Sequence, residues 1–334
     1  YKKIYAEWST NEKVATEAAI GAAYAGQRSI TTMKQVGMNV AADAFFFAVY
    51  TGMRAGLVIV VADDPGMFSS QNEQDNRHYA PFAKMPLLEP SDSQEAKDFV
   101  KIALEMSEEW DVPVLYRTCM RVAHSASPVE IGERNWDDEK IPEKWVRDQD
   151  KYVCSAMLAK KKRPMIEERL IKLVDVSNKI SINRLEWGDR KLGIIASGPV
   201  YHYAREIFPN ATFLKLGMTY PLPEGLIREL AAGVDQVMVI EELDPFIEQQ
   251  VKAMGIHCIG KDIFPRYGEL LTGDIERACA KAGIIPWDKV AEQRNVTPED
   301  LPGRSPVLCP GCPHRSTFYN LAKMKDVIIV SDIG

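Results

Sequence analysis

Short apolar runs with almost no polar interruption punctuate this chain: Leu57-Val58-Ile59-Val60-Val61, Leu192-Gly193-Ile194-Ile195-Ala196 and Val237-Met238-Val239-Ile240. Runs of this length form strands buried on both faces, the kind found in parallel sheets. Weaker strand patterns cover residues 29–32, 85–88, 113–118, 211–216 and 257–260. Helical patterns lie between them. Thr10 or Asn11 is placed to cap a helix that starts at Glu12 and ends at Gly26. A turn at Gln35-Val36-Gly37 leads into an apolar helix over 38–50, and Ser91 or Ser93 is placed to cap a helix from 93 to about 109. In the second half, helices centre on 203–207, 223–232 and 245–254. Alternation at these lengths predicts an α/β protein with parallel sheets and helices on both faces.

The rhythm divides the chain. Residues 1–125 form one α/β region and residues 190–265 a second, smaller one. Residues 126–189 read as a linker or cover segment with charge runs (Asp137–Lys140 and Lys160–Arg163) and an exposed helix over about 165–178. Residues 266–305, which carry Pro286, Pro298 and Pro302, read as a second linker, and residues 306–334 open a further piece that closes on an apolar strand at 327–330. The chain starts on Tyr1 rather than Met, and its last strand would need neighbours, so the reading expects further segments at both ends.

Composition narrows the function class. The 334 residues are 46% hydrophobic and 26% charged with a net charge of −6, which argues against a general nucleic-acid binder. No apolar run reaches the length of a membrane span and no signal peptide is visible. Six scattered cysteines do not make a disulfide framework, so the expected setting is reduced and cytoplasmic, with Cys119, Cys154, Cys258 and Cys279 as small core residues.

Three features carry candidate chemistry. Residues 63–79 follow the strand at 57–61 with carboxylates, amides, Arg77 and His78. Ligands of parallel sheets bind beyond the carboxyl ends of the strands, and connectors in such units need only about 2–6 residues; the alternative is a solvated surface loop. His78 fits either a proton shuttle or a structural histidine. Cys309 and Cys312 stand just ahead of a helix, at a spacing that suits one metal or cluster, a redox dithiol, or a Pro-Gly turn with free thiols. His314 is near them, with Pro313 restricting convergence. Glu12 opens the first helix, where the macrodipole favours an ionised carboxylate. By itself it reads as an ordinary first-turn carboxylate.

Four stretches together resemble a known family: Glu7-Trp8-Ser9-Thr10-Asn11-Glu12, Thr32-Met33-Lys34-Gln35-Val36-Gly37-Met38-Asn39-Val40-Ala41-Ala42-Asp43, Val60-Val61-Ala62-Asp63-Asp64-Pro65-Gly66 and Cys309-Pro310-Gly311-Cys312-Pro313-His314-Arg315. They are similar, in order and over nearly the whole chain, to the indolepyruvate ferredoxin oxidoreductase α subunits, thiamine diphosphate enzymes of the 2-oxoacid:ferredoxin oxidoreductase superfamily. The resemblance implies a thiamine diphosphate-binding fold: a pyrimidine-binding domain over 1–125, a transketolase C-terminal-like domain over 190–265 and the start of a pyrophosphate-binding domain from 306. It implies that Glu12 hydrogen-bonds the aminopyrimidine ring and shares a proton with it, which a carboxamide could not do. Gly37, Met38 and Asn39 would support the cofactor. Gln71, Asn72 and Arg77 would face the substrate, with Arg77 on its carboxylate.

Cys309 and Cys312 match cluster ligands of related enzymes. The implied cofactors are thiamine diphosphate, Mg2+ and [4Fe-4S] clusters mostly ligated outside this chain segment. The implied partners are a β subunit, ferredoxin, CoA and aryl 2-oxoacids. The implied reaction is oxidative decarboxylation of indolepyruvate to its acyl-CoA. The alternatives are another 2-oxoacid oxidoreductase (pyruvate, 2-oxoglutarate or branched-chain), a non-redox lyase, and a non-catalytic metal-binding assembly subunit.

Overall fold

In the computed structural model, which describes residues 4–132, 145–290, 308 and 310–330, Asn11 accepts a hydrogen bond from Val14 N at 3.0 Å and so caps α1 (Glu12–Tyr24). Strand β1 (Ser29–Lys34) follows, then helix α2 (Gly37–Thr51) and strand β2 (Leu57–Asp63). Helix α2 buries Met38, Ala41, Phe45 and Ala48, one stripe at helical spacing. A long loop after β2 leads to α3 (Tyr79–Ala83), the two-residue β3 (Leu87–Leu88), α4 (Ser93–Trp110), β4 (Val114–Cys119) and α5 (Met120–His124). Neither serine caps α4. Asp92 does, because its carboxylate reaches Glu95 N at 2.9 Å, while Ser91 Oγ donates to the Glu95 carboxylate at 2.7 Å.

Past the 133–144 stretch come α6 (Gln149–Tyr152) and α7 (Ala156–Lys179). Helix α7 is longer than its apolar pattern predicts: Ser155 caps it, and the charge run at 160–163 is made of good helix formers. Next are β5 (Arg184–Glu186), β6 (Asp189–Ser197), α8 (Val200–Ile207), β7 (Ala211–Leu216), β8 (Met218–Tyr220), α9 (Glu224–Gly233), β9 (Gln236–Ile240) and α10 (Phe246–Ala253). Residues 257–260 contribute only a parallel bridge between Ile259 and Met238. Helix α11 (Thr272–Lys281) stands where the prolines predict a plain connector; Ile275 and Cys279, four apart, bury one face of it beside Phe264 and Leu270.

Two sheets result. The first runs β1-β2-β4-β3-β8, parallel except for the antiparallel edge β8. The second runs β5-β7-β6-β9, parallel except for the edge β5. Strand β8 arrives from the second region to close the first sheet, and one core joins Ile59 and Leu115 of the first sheet to Leu214 and Val239 of the second. Cys119, Cys258 and Cys279 are buried and Cys154 is half-buried, all free.

The chain divides into two compact units, residues 1–291 and 292–334. In the smaller one, α12 (His314–Leu321) is the helix among the described residues. Residues 327–330 are exposed and form no strand; a strand requires a hydrogen-bonded neighbour, and none of the described residues supplies one. No described helix is long and apolar enough to cross a membrane.

Candidate functional site

The carboxyl ends of β1 and β2 hold the turn that starts α2 and the loop that follows β2. Gln35, fully buried at the end of β1, ties the two together. Its Nε2 donates to Asn72 O at 2.5 Å, its Oε1 accepts from Asp64 N at 3.0 Å, and its carbonyl accepts from Asn76 Nδ2 at 3.2 Å. Asn39 continues the seam: its Nδ2 donates to Gln74 Oε1 at 3.1 Å, and its Oδ1 accepts from the Tyr79 hydroxyl at 2.6 Å.

Glu12 and Gly37 meet where α1 and α2 begin. A Cβ on Gly37 would lie 2.4 Å from Glu12 Cγ, 3.0 Å from its carboxyl carbon and 3.0 Å from Met33 Cβ. Only glycine lets the two helix starts close this tightly. The Glu12 side chain is half-buried, and its carboxylate makes no hydrogen bond or ion pair among the described residues. Met38, expected against the cofactor, is fully buried in the core with Phe45 and presents no surface to the crevice. Its place in the α2 stripe turns it inward.

The loop is ordered by its own carboxylates. Asp64 accepts from Phe68 N, Ser69 N and Ser70 Oγ at 3.2, 2.9 and 2.6 Å. Burial pushes its pKa up, but these hydrogen bonds outweigh burial and bring it below the ordinary aspartate value. Glu73 accepts from Gly66 N at 2.7 Å and Gly268 N at 3.0 Å. Asn72 also accepts from Gln74 through its side chain, at 2.8 Å. Gln71 is exposed and holds no polar partner among the described residues.

Arg77 does not face a ligand. It is 1% exposed, with Nε on Asp75 at 2.8 Å, Nη1 on the Glu241 carboxylate at 2.6 Å, and Nη2 on Asp75 Oδ2, Glu242 O and Asp244 O at 2.5, 2.8 and 3.1 Å. Its guanidinium carbon sits 5.1 Å from the Phe246 ring centroid. Every guanidinium nitrogen has a partner and the group is buried, so it is not presented to a substrate carboxylate. Burial opposes the charge of Arg77, but the Asp75 and Glu241 carboxylates outweigh it and hold the guanidinium protonated. Asp75, against its own burial, is in turn held well below the usual carboxylate range by Arg77.

A second buried arginine extends the network. Arg117 Nε donates to Asp63 at 2.6 Å and Nη1 to Glu89 at 2.5 Å, leaving Arg117 Nη2 and Glu89 Oε2 unpartnered among the described residues. Lys261 Nζ reaches Glu241 O at 2.6 Å and Pro265 O at 2.8 Å, and burial brings its pKa down to about 8. Burial raises the pKa values of Asp63, Glu241 and Glu242. His78 is half-exposed and pairs with Asp244 at 3.0 Å. Asp75, His78 and Asp244 bring ligand atoms within 4.8 Å of one another, but Asp75 is already committed to Arg77.

Sequence reasoning passed over Gln35, Asp63, Glu241 and Glu242. A signal for them exists. Strands β2 and β9 are both apolar runs that end in a pair of carboxylates followed closely by proline, Asp63-Asp64-Pro65 and Glu241-Glu242-Leu243-Asp244-Pro245.

In the smaller unit, Cys312 Sγ lies 3.4 Å from His314 Nδ1, so Pro313 does not keep the two apart. Cys309 lies outside the described residues.

Comparison with known proteins places these observations. Residues 3–178 match the family described as pyruvate flavodoxin/ferredoxin oxidoreductase, thiamine diphosphate-binding. Similar relatives are named indolepyruvate oxidoreductase subunit IorA. The one from Archaeoglobus fulgidus is 42% identical over 99% of this chain and 55% of its own length. Those from Pyrococcus horikoshii and Methanothermobacter marburgensis are 41% and 40% identical, again over 99% of this chain and over 54% and 56% of their lengths. The chain thus spans about half the length of the curated relatives it matches. Among solved structures, a 2-oxoglutarate:ferredoxin oxidoreductase from Magnetococcus marinus is similar with a TM-score of 0.63 at 14% identity, over 83% of this chain and 57% of that one. A split-gene transketolase is similar with a TM-score of 0.52 at 15% identity, over 81% of each chain. At these identities the likeness shows the fold, an α/β thiamine diphosphate-binding architecture with parallel sheets.

Proposed function

Because the chain belongs to the thiamine diphosphate-binding pyruvate flavodoxin/ferredoxin oxidoreductase family, we propose that it carries the pyrimidine-side half of a cofactor site for oxidative decarboxylation of aryl 2-oxoacids, indolepyruvate foremost, to acyl-CoA. The observation that carries the reading is the Glu12 carboxylate, half-buried, without a partner among the described residues, and seated against Gly37. An acceptor left free among packed helix starts suits a ligand with a ring nitrogen to satisfy it.

Thiamine diphosphate, when bound, supplies the reactive carbon and the electron sink that decarboxylation of a 2-oxoacid requires. The chain's own residues hold it and manage the proton. Glu12 would hydrogen-bond the aminopyrimidine ring and hold or release a proton at its carboxylate oxygen. Gly37 keeps the floor of that contact open, and Asn39, fixed by Gln74 and Tyr79, sets the turn beside it. Met38 supports the turn from the core. Gln71 and Asn72 remain the loop's candidates for the substrate.

The same proposal divides residues 1–125, 190–265 and 306 onward into pyrimidine-binding, transketolase C-terminal-like and incipient pyrophosphate-binding domains. It joins the chain to a β subunit and ferredoxin in the cytoplasm, and assigns Mg2+ and [4Fe-4S] clusters to the assembled enzyme, with Cys309 and Cys312 as cluster ligands. It is supported by the names of the relatives, indolepyruvate oxidoreductase subunits at about 40% identity.

The test is anaerobic dye reduction by the full-length protein with its partner subunit, supplied with thiamine diphosphate, CoA and a panel of indolepyruvate, phenylpyruvate, pyruvate and 2-oxoglutarate. CoA-dependent reduction with the aryl acids is expected. Reduction with small oxoacids alone overturns the substrate class, and no reduction in a preparation carrying iron and thiamine diphosphate overturns the reading.

A further inference from the structure

We propose that the Arg77–Glu241 ion pair is a positioning latch that fixes the turn bearing Gly37 and Asn39, and thereby sets the affinity of the site for thiamine diphosphate. This inference rests on the cofactor reading above. Its geometry does not.

The latch is anchored on the second sheet. The Glu241 carboxylate, at the end of β9, accepts from Ile247 N and Glu248 N in the first turn of α10, with distances from 2.9 to 3.1 Å. A carboxylate held by helix N–H groups is fixed in position. Arg77 docks on it at 2.6 Å and, through Nη2, on the carbonyls of Glu242 and Asp244. Side-chain and main-chain contacts to the same short segment hold the guanidinium plane in one orientation.

From Arg77 the constraint runs back along the loop. The neighbouring Asn76 donates through Nδ2 to Gln35 O at 3.2 Å and to Asp63 Oδ1 at 2.5 Å. Gln74 binds Asn39, and the Asn72 carbonyl binds Gln35. The segment 72–77 is therefore held at one end by the second sheet and at the other by the two residues, Gln35 and Asn39, that bracket Gly37. An ion pair this deeply buried is weak evidence for net stability, because the desolvation of both charges offsets their attraction. What it does supply is one defined geometry, and here that geometry ends on the contact between Gly37 and Glu12.

The test uses the full-length protein with its partner subunit and the variant Glu241→Gln, which keeps shape and removes charge. Two readouts are taken, neither of them turnover. In hydrogen exchange without cofactor, the variant is expected to exchange faster over 35–39 and 72–77, with β6 and β7 unchanged. In calorimetric titration, thiamine diphosphate is expected to bind about 10-fold more weakly, the size of an ordinary coupling between sites. Gln74→Ala, which leaves the ion pair intact, is expected to loosen 35–39 alone and to weaken binding less. It also keeps the inference testable if Glu241→Gln does not fold.

Exchange changes confined to 241–248, or an unchanged cofactor affinity in a variant whose loop has loosened, overturns the latch. A wild-type protein that binds no thiamine diphosphate overturns the cofactor reading instead, and the exchange pattern then decides whether the latch stands as a conformational device.

Discussion

Two charged groups on this molecule sit in opposite states of satisfaction. Arg77 is buried with every nitrogen engaged, by Asp75, Glu241 and two carbonyls. Glu12 is half-buried and engages nothing among the described residues. Both flank the same turn: Glu12 touches Gly37 directly, and Arg77 reaches it through Asn76 and Gln35. Arg77, buried and held at each guanidinium nitrogen, is not presented to a ligand, and its contacts define one arrangement of the backbone around it. The Glu12 carboxylate, by contrast, is half-buried and has acceptor capacity not used by the described residues. On the reading proposed above, the pair would divide the labour of a site, the closed group positioning and the open group reacting.

The strongest way to break that division is to exchange the roles. Glu12→Gln is expected to lower turnover about 10²- to 10⁴-fold, the range for losing a positioned acid–base group. Stability should change by no more than about 0.5 kcal/mol, since no partner is orphaned. Dye reduction and thermal unfolding of the same preparation check both halves. Arg77→Ala should do the reverse to the fold: removing one partner strands Asp75 and Glu241 in the interior and is expected to destabilise by about 3–5 kcal/mol. Urea unfolding measures it, and a loss below 1 kcal/mol would mean that the network is not the structural element described here.

Gly37→Ala sharpens the boundary between the two groups. The added Cβ would fall 2.4 Å from Glu12 Cγ, so the carboxylate must move. A destabilisation of about 1–3 kcal/mol is expected from such overpacking, together with weaker thiamine diphosphate binding in a titration. The smallest effect is a pH slope. The folded pKa of Lys261 lies at about 8, below that of an exposed lysine, because burial disfavours its charge. Between pH 8 and about 10.4 the unfolded chain holds this proton and the folded chain does not, so this group makes stability rise with pH across that window. Subtracting the profile of Lys261→Met should isolate the rise; identical profiles would contradict the assignment.

Much of this was legible in the sequence, for local reasons. The apolar runs ending at Asp63 and Ile240 became β2 and β9, the helix start at Glu12 was marked by its cap, and the turn at Gly37 by its glycine. The resemblance also implies a substrate-facing Arg77 and a Met38 at the cofactor; the α2 stripe turns Met38 into the core, and Arg77 is taken up by partners far away in the chain. Which partner a side chain meets is decided by elements distant in the chain: Glu241 is 164 positions from Arg77, and periodicity carries no information across that gap. Helix α11 was hidden because nearby prolines outweigh three buried residues in a short amphipathic stretch. Strand β8 was hidden because three residues at a sheet edge leave no period to read.

The measurement that tests the central claim most directly is the exchange of the proton at the thiazolium carbon of bound thiamine diphosphate, followed by NMR in the wild-type complex and in Glu12→Gln. Fast exchange is expected in the wild type, and exchange slowed by about 10²-fold or more in the variant, with the cofactor still bound. Equal exchange rates at equal occupancy would contradict it, and would leave Glu12 as a first-turn carboxylate and nothing more.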